Sequence, residues 1–191
     1  MGQSRAVGTI VIGWCWWLAM TTATLGGEPP FQLEAGFVRL DNGKDLQGWI
    51  VKGQDQIEGW SVVEGAIHLD AAKANGNLHS TQTHSANCTI RLQFRASDNG
   101  DSGVYIHGKQ LQVRDYPKAG PRLYAPAAKP AGQWNELEFE IVNGLATVKL
   151  NGQVIERSWR IGPDPNLGIG LQRERGDFDF RYIRIKEHRP N

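Results

Sequence analysis

Beyond Pro30 the apolar residues of this chain recur with a period of two. Ile90, Leu92 and Phe94 alternate with Arg91, Gln93 and Arg95, and Val104 and Ile106 with Tyr105 and His107. Leu111 and Val113 alternate with Gln110, Gln112 and Arg114, and Leu137, Phe139 and Ile141 with Glu136, Glu138 and Glu140. Such a period sends successive side chains to opposite faces of a strand. No segment sustains a helical period. The breaks carry turn chemistry: Asp41-Asn42-Gly43, Glu64-Gly65, Asn75-Gly76, Asp98-Asn99-Gly100, Asn143-Gly144 and Asn151-Gly152. Asn143-Gly144 predicts a hairpin between 136–142 and 145–150. Many short strands separated by such turns predict an all-β, two-sheet antiparallel sandwich over residues 34–187. The stretch from Tyr116 to Gln133 holds Pro117, Pro121, Pro126 and Pro130, so it reads as a long functional or crossing loop.

The N-terminus differs in kind. Arg5 precedes an apolar run from Ala6 to Leu25, which exits through Ala23-Thr-Leu-Gly26-Gly27. This pattern predicts a secretory signal peptide over residues 1–27, with a membrane anchor through residues 6–25 as the alternative. The remaining domain, 28–191, would be exported to the periplasm or the extracellular space. Lys and Arg number 21 and Asp and Glu 20; without Arg5 the two balance. Such a chain carries no electrostatic footprint for nucleic acid, and it would meet a membrane only through an uncleaved N-terminus. Cys15 leaves with the signal, and Cys88 then stands alone. That leaves no intrachain disulfide and no cysteine-based metal site, and it predicts a buried, inert thiol.

Three segments carry outward polar groups. In Ser102–His107, Tyr105 and His107 oppose Val104 and Ile106; in Gln110–Asp115, Gln110, Gln112 and Arg114 oppose Leu111 and Val113. In Gly168–Arg175, Gln172 and Glu174 oppose Ile169 and Leu171. A turn at Gly108-Lys109 would bring the first two polar faces together. Amides and a guanidinium suit paired hydroxyls, an aromatic ring suits the C–H face of a sugar, and His107 suits proton transfer near neutrality. The Glu136, Glu138 and Glu140 stripe reads as a solvated outer face. The chain has no nucleophile triad, no paired carboxylates on one segment, no phosphate loop and no metal-ligand spacing.

Several segments together resemble the 3-keto-disaccharide hydrolase family, long catalogued as a domain of unknown function. They are Phe37-Val-Arg-Leu-Asp-Asn-Gly-Lys-Asp-Leu-Gln-Gly-Trp49, Gly59-Trp-Ser-Val-Val-Glu-Gly65, Asp101-Ser-Gly-Val-Tyr-Ile-His107 and Leu111-Gln-Val113 with Asp115. Pro130-Ala-Gly-Gln-Trp-Asn135, Lys149-Leu-Asn-Gly152, Gly168-Ile-Gly-Leu-Gln172 and Phe180-Arg-Tyr-Ile-Arg-Ile185 follow in the family's order. The resemblance implies a concanavalin A-like jelly roll with its ligand on a concave face. It also implies action on glycosides oxidised to a ketone at C3, with a sugar or 3-keto-glycoside as partner. A base removes the acidified C2 proton, the C1 substituent leaves, and water adds back. On this reading His107 or Glu174 is catalytic, and Tyr105, Gln110, Gln112, Arg114, Asp115, Gln172 and Arg173 hold the substrate. No cofactor is evident, and a divalent metal stays open. The chain departs from the pattern in two places. Gln110 stands where relatives carry an acidic residue, and Arg173-Glu174-Arg175 where relatives carry His-Gly. A non-catalytic carbohydrate-binding or scaffold domain is therefore the alternative. Trp49, Trp60 and Trp134 are expected to pack in the core, because tryptophan is highly buried on average.

Overall fold

A computed structural model describes residues 30–162, 164 and 168–188; the signal or anchor expected over 1–27 lies outside them. Among the described residues thirteen strands form two antiparallel sheets. β1 (Val38–Arg39), β3 (Trp60–Val63), β4 (Ala66–Leu69), β6 (Cys88–Ala96), β9 (Asn135–Val142), β10 (Leu145–Leu150), β11 (Gln153–Arg160) and β13 (Phe178–Glu187) make the larger sheet. Its order is β11-β10-β9-β6-β13-β4-β3, with β1 also on β13. β2 (Trp49–Val51), β5 (Leu78–Ser80), β7 (Asp101–Ile106), β8 (Lys109–Arg114) and β12 (Ile169–Leu171) make the smaller one, in the order β2-β5-β12-β7-β8. The described helices are a four-residue turn, α1 (Tyr116–Ala119), and a three-residue 3₁₀ turn at Ala125–Ala127. Among the described residues no helix is long and apolar enough to cross a membrane.

The alternation becomes the core. Ile90, Leu92 and Phe94 of β6 pair with Phe139, Leu137 and Asn135 of β9, and all six are buried. Val104, Ile106, Leu111, Val113, Ile169 and Leu171 supply the facing layer from the smaller sheet. Each such side chain contributes roughly 1.5–3 kcal/mol by leaving water. Four hairpins close through two-residue turns at Glu64-Gly65, His107-Gly108, Asn143-Gly144 and Asn151-Gly152, with positive φ at both residues of each. That conformation matches the right-handed twist of the flanking strands.

Two features depart from simple alternation. In β13 the register shifts between Arg181 and Arg184, and Tyr182 takes φ 54°. This bulge carries the core parity from Phe180 to Ile183. The Tyr182 and Ile183 amides donate to the buried Asp41 carboxylate at 3.2 and 2.6 Å, and Arg39 braces that carboxylate at 2.7 Å. The proline-rich stretch crosses from β8 to β9. It buries Tyr116 and Tyr124 edge-on at 5.5 Å, and the Tyr116 hydroxyl donates to Gln112 O at 2.7 Å. It is thus a crossing loop that inserts aromatics into the core.

Trp49 and Trp60 are buried as expected, but Trp134 is only half-buried. The guanidinium groups of Arg95 and Arg181 lie over its ring, 4.8 and 3.9 Å from its centre, on the outer face of the larger sheet. Facing two cations is a favourable use of an indole's electron-rich faces, so this position departs from the core expectation. The acidic stripe beside it is paired as well as solvated: Glu138 binds Arg91 and Lys149, each at 2.6 Å.

Candidate functional site

The smaller sheet presents one polar face away from the core. Strand pairing runs a single row across it: Ile50 opposite His79, His79 opposite Gly170, Gly170 opposite Tyr105, and Tyr105 opposite Gln110. Directly paired residues share a face, so these five side-chain positions lie side by side. A second row holds Gln172, whose amide donates to Gly103 O at 2.8 Å, then Gly103 itself opposite Gln112. Asp101 opposite Arg114 makes a third.

Glycine shapes the floor of the first two rows. A Cβ on Gly170 would stand 2.9 Å from the His79 ring and 3.1 Å from Tyr105 Cβ, and one on Gly103 would meet Gln110 Nε2 at 2.4 Å. Their absence lets His79 and Gln110 lie across the sheet. Gln110 Nε2 then donates to Gln172 Oε1 at 2.6 Å, and Gln172 Nε2 donates to the exposed Glu174 carboxylate at 3.1 Å. Arg114 Nε donates to Asp101 at 2.6 Å and to Gln112 Oε1 at 3.1 Å, and its NH1 donates to Ala119 O at 3.1 Å. The face is therefore a preorganised lattice of amides, one guanidinium and two carboxylates, flanked by Tyr105 and the half-exposed Ile50.

Tyr105, Gln110, Gln112, Arg114, Gln172 and Glu174 thus share this face, as the parity of three strands anticipated. Three expected partners do not. His107 is 2 % exposed and lies in the β7–β8 turn, which is His107-Gly108 and not Gly108-Lys109. With φ 47° it leaves the strand alternation, and its ring turns under the sheet against His84, centroids 5.0 Å apart. Burial and the neighbouring His84 hold its pKa down at about 4. Asp115 is buried and accepts the Asn99 amide at 3.0 Å, closing the turn before β7. The Arg173 guanidinium runs the other way to Ala71 O at 3.1 Å, since Arg173 has the parity opposite to Gln172.

The family model of the 3-keto-alpha-glucoside-1,2-lyase-like domain matches residues 36–186. The chain belongs to this family. It is a glycosyl hydrolase-like, carbohydrate-active domain. No curated protein matches it. Two crystal structures of candidate glycosyl hydrolases from Parabacteroides distasonis ATCC 8503 share its fold, each with TM-score 0.63. One is 19 % identical, covering 81 % of this chain and 95 % of that one; the other is 22 % identical, covering 81 % and 84 %. The carbohydrate-binding module CBM66 of Bacillus subtilis is also similar, with TM-score 0.55 at 10 % identity over 73 % of this chain and 96 % of that one. At these identities the likeness is one of fold.

In this member of the 3-keto-alpha-glucoside-1,2-lyase-like family the row also contains a residue that the alternation did not reveal. His79 lies between Ile50 and Tyr105, its ring centroid 6.4 Å from that of Tyr105. Its Nδ1 is buried without a hydrogen-bond partner, and burial, aided by the Lys52 charge, lowers its pKa. The unpartnered ring nitrogen is placed to accept a proton. Its only sequence signal is the triplet Leu78-His79-Ser80, too short to show a period; pairing with β2 and β12 makes it a site residue.

Proposed function

We propose that this domain is exported and cleaves 3-keto-glycosides on the polar face of the smaller sheet, by elimination and hydration. The observation that carries the proposal is the His79 imidazole, its Nδ1 buried without a hydrogen-bond partner, in the same row as Tyr105 and the Gln110–Gln172 amide pair. In this scheme His79 takes the C2 proton. The electron pair flows to the C3 oxygen as an enolate, which the Tyr105 hydroxyl stabilises, because Arg114 is already engaged by Asp101 and Gln112. The enolate re-forms the ketone, a C1–C2 double bond appears, and the glycosidic oxygen leaves with the proton that His79 took, which returns His79 to its starting state. Water then adds across that double bond, so the net change is hydrolysis. The amides, with Glu174 at their edge, would hold the sugar hydroxyls.

The test is turnover on a panel of 3-keto-glucosides, with the unoxidised glycosides as controls. His79→Ala should lower kcat by about 10²–10⁴-fold with KM changed little, since a base acts mainly in the transition state. Equal turnover of unoxidised glycosides would sink the ketone requirement. An unchanged kcat in His79→Ala would move the base to Glu174, to be checked with Glu174→Gln. One observation favours a second, non-catalytic reading. Gln110, where relatives carry an acid, is locked into an amide–amide bond. Sugar binding without turnover of any substrate would establish that reading.

A further inference from the structure

Where the β7–β8 turn meets the start of β6, three side chains with metal-binding atoms converge. His84 comes from the β5–β6 connection, Cys88 opens β6, and His107 occupies the turn. One nitrogen or sulfur atom of each lies within 4.8 Å of the others, and His84 Nδ1 is 3.8 Å from Cys88 Sγ. Cys88 and His107 are 0 % and 2 % exposed. A second, independent feature points to a ligand. His84 Nε2 and His107 Nε2 are both buried without a hydrogen-bond partner. Leaving a buried polar atom unpaired is unfavourable, and here two fall in one cluster. The rings are anchored on their other side. His84 Nδ1 faces Ser85 O at 3.2 Å, and the Gly162 backbone hydrogen-bonds the His107 ring. Gly162 is pressed so close that a Cβ there would fall on the His107 carbonyl. Backbone partners of this kind fix the tautomer and aim of metal-ligating histidines.

We propose that His84, Cys88 and His107 form a binding site for one borderline-soft divalent cation of the zinc type. Two imidazoles and a thiolate select such an ion over calcium or magnesium, which take oxygen ligands. Zinc stands ~2.0–2.3 Å from nitrogen and sulfur, so a tetrahedral site needs ligand atoms about 3.3–3.8 Å apart. The three ligand atoms lie within 4.8 Å of one another, so closing a tetrahedral site takes shifts of about 1 Å. Three protein ligands leave a fourth position for water. A surface cavity of about 580 Å³, lined in part by Gln82, His84 and Glu187, gives the ion a route in. On binding, the Cys88 S–H bond is exchanged for a sulfur–metal bond, and the proton passes to solvent with no change of oxidation state. The ion would tie β6 of the larger sheet to the hairpin that carries Tyr105 and Gln110.

The test titrates the metal-stripped full chain with Co²⁺ alone, then with Zn²⁺ alone. One equivalent of Co²⁺ should produce the intense visible bands of four-coordinate cobalt and a thiolate-to-cobalt charge-transfer band, both displaced by Zn²⁺. Saturating Zn²⁺ should raise the melting temperature by several degrees. Cys88→Ser should abolish the charge-transfer band, and His84→Gln should weaken Co²⁺ binding about tenfold or more. Should either variant fail to fold, the wild-type spectrum decides alone. A spectrum that stays that of hydrated Co²⁺, an unchanged melting temperature, or a cobalt complex without thiolate charge transfer would overturn the proposal. So would wild-type affinity in His84→Gln, because the ion would then sit elsewhere.

Discussion

Trp60 and Trp134 show how one residue type takes two roles. Trp60 is 5 % exposed and donates its indole N–H to Gly76 O at 2.9 Å. Trp134 directly precedes β9, whose buried residues are Asn135, Leu137, Phe139 and Ile141. Its even parity assigns it to the outer face, where the Arg95 and Arg181 guanidinium groups lie over its ring. The average burial of tryptophan is a weaker guide than the parity of the strand that carries it. Trp60→Ala should therefore cost about 3–5 kcal/mol in urea denaturation. Trp134→Ala should cost about 1 kcal/mol, the scale of exposed cation–π contacts. Equal losses would mean that Trp134 packs as a core residue.

At the scale of elements, the β7–β8 hairpin decides both the site and the cation cluster. A two-residue turn with positive φ at both positions removes His107 and Gly108 from the strand alternation. Tyr105 and Gln110 keep their place on the polar face, while His107 is turned beneath it. The strand pattern of 102–107 alone extends one residue too far, because Gly108-Lys109 looks as suitable a turn as His107-Gly108. The same hairpin offers a test of preorganisation. The nearest atoms a Cβ at Gly103 would meet belong to the Gln110 side chain, which is flexible enough to swing away. Gly103→Ala should leave stability within about 1 kcal/mol of the parent, because no backbone must move. It should break the Gln110–Gln172 bond and weaken sugar binding about tenfold, the equivalent of one polar contact. Calorimetric titration with the sugar checks this; unaltered affinity would show that the amide pair takes no part in binding.

Across the whole molecule, the outer face of the larger sheet is held by a charge network centred on Glu34. Arg184, with its side chain 3 % exposed, donates to Glu34 at 2.8 Å, and Arg91 donates at 3.1 Å. The hydrogen bond from Arg184 leads in lowering the Glu34 carboxyl from 4.5 to about 2. A depressed carboxyl contributes stability that is full above its unfolded value and is lost as pH falls toward 2. Glu34→Gln should therefore melt earlier than the parent above about pH 5, with the difference vanishing as pH approaches about 2. Solvent access to Glu34 keeps the effect near 1 kcal/mol; a difference that persisted at the acid end would rule out this linkage. At this scale the contribution of sequence and that of tertiary structure separate cleanly. Alternation in 90–95, 104–106, 110–114, 137–141 and 169–174, with Gly-bearing pairs such as Asn143-Gly144, was enough for the two-sheet sandwich and for the facing of six polar residues, while the meeting of Gln172 and Glu174 with the other four rested on the family resemblance. Both signals are local, since a side chain's face and a turn's φ depend on immediate neighbours. The bulge at Tyr182, the core aromatics of the crossing loop, His79 beside Tyr105, and the meeting of His84 and Cys88 with His107 were not legible. Each depends on which distant strands lie side by side, and only the closing of the sandwich sets that order.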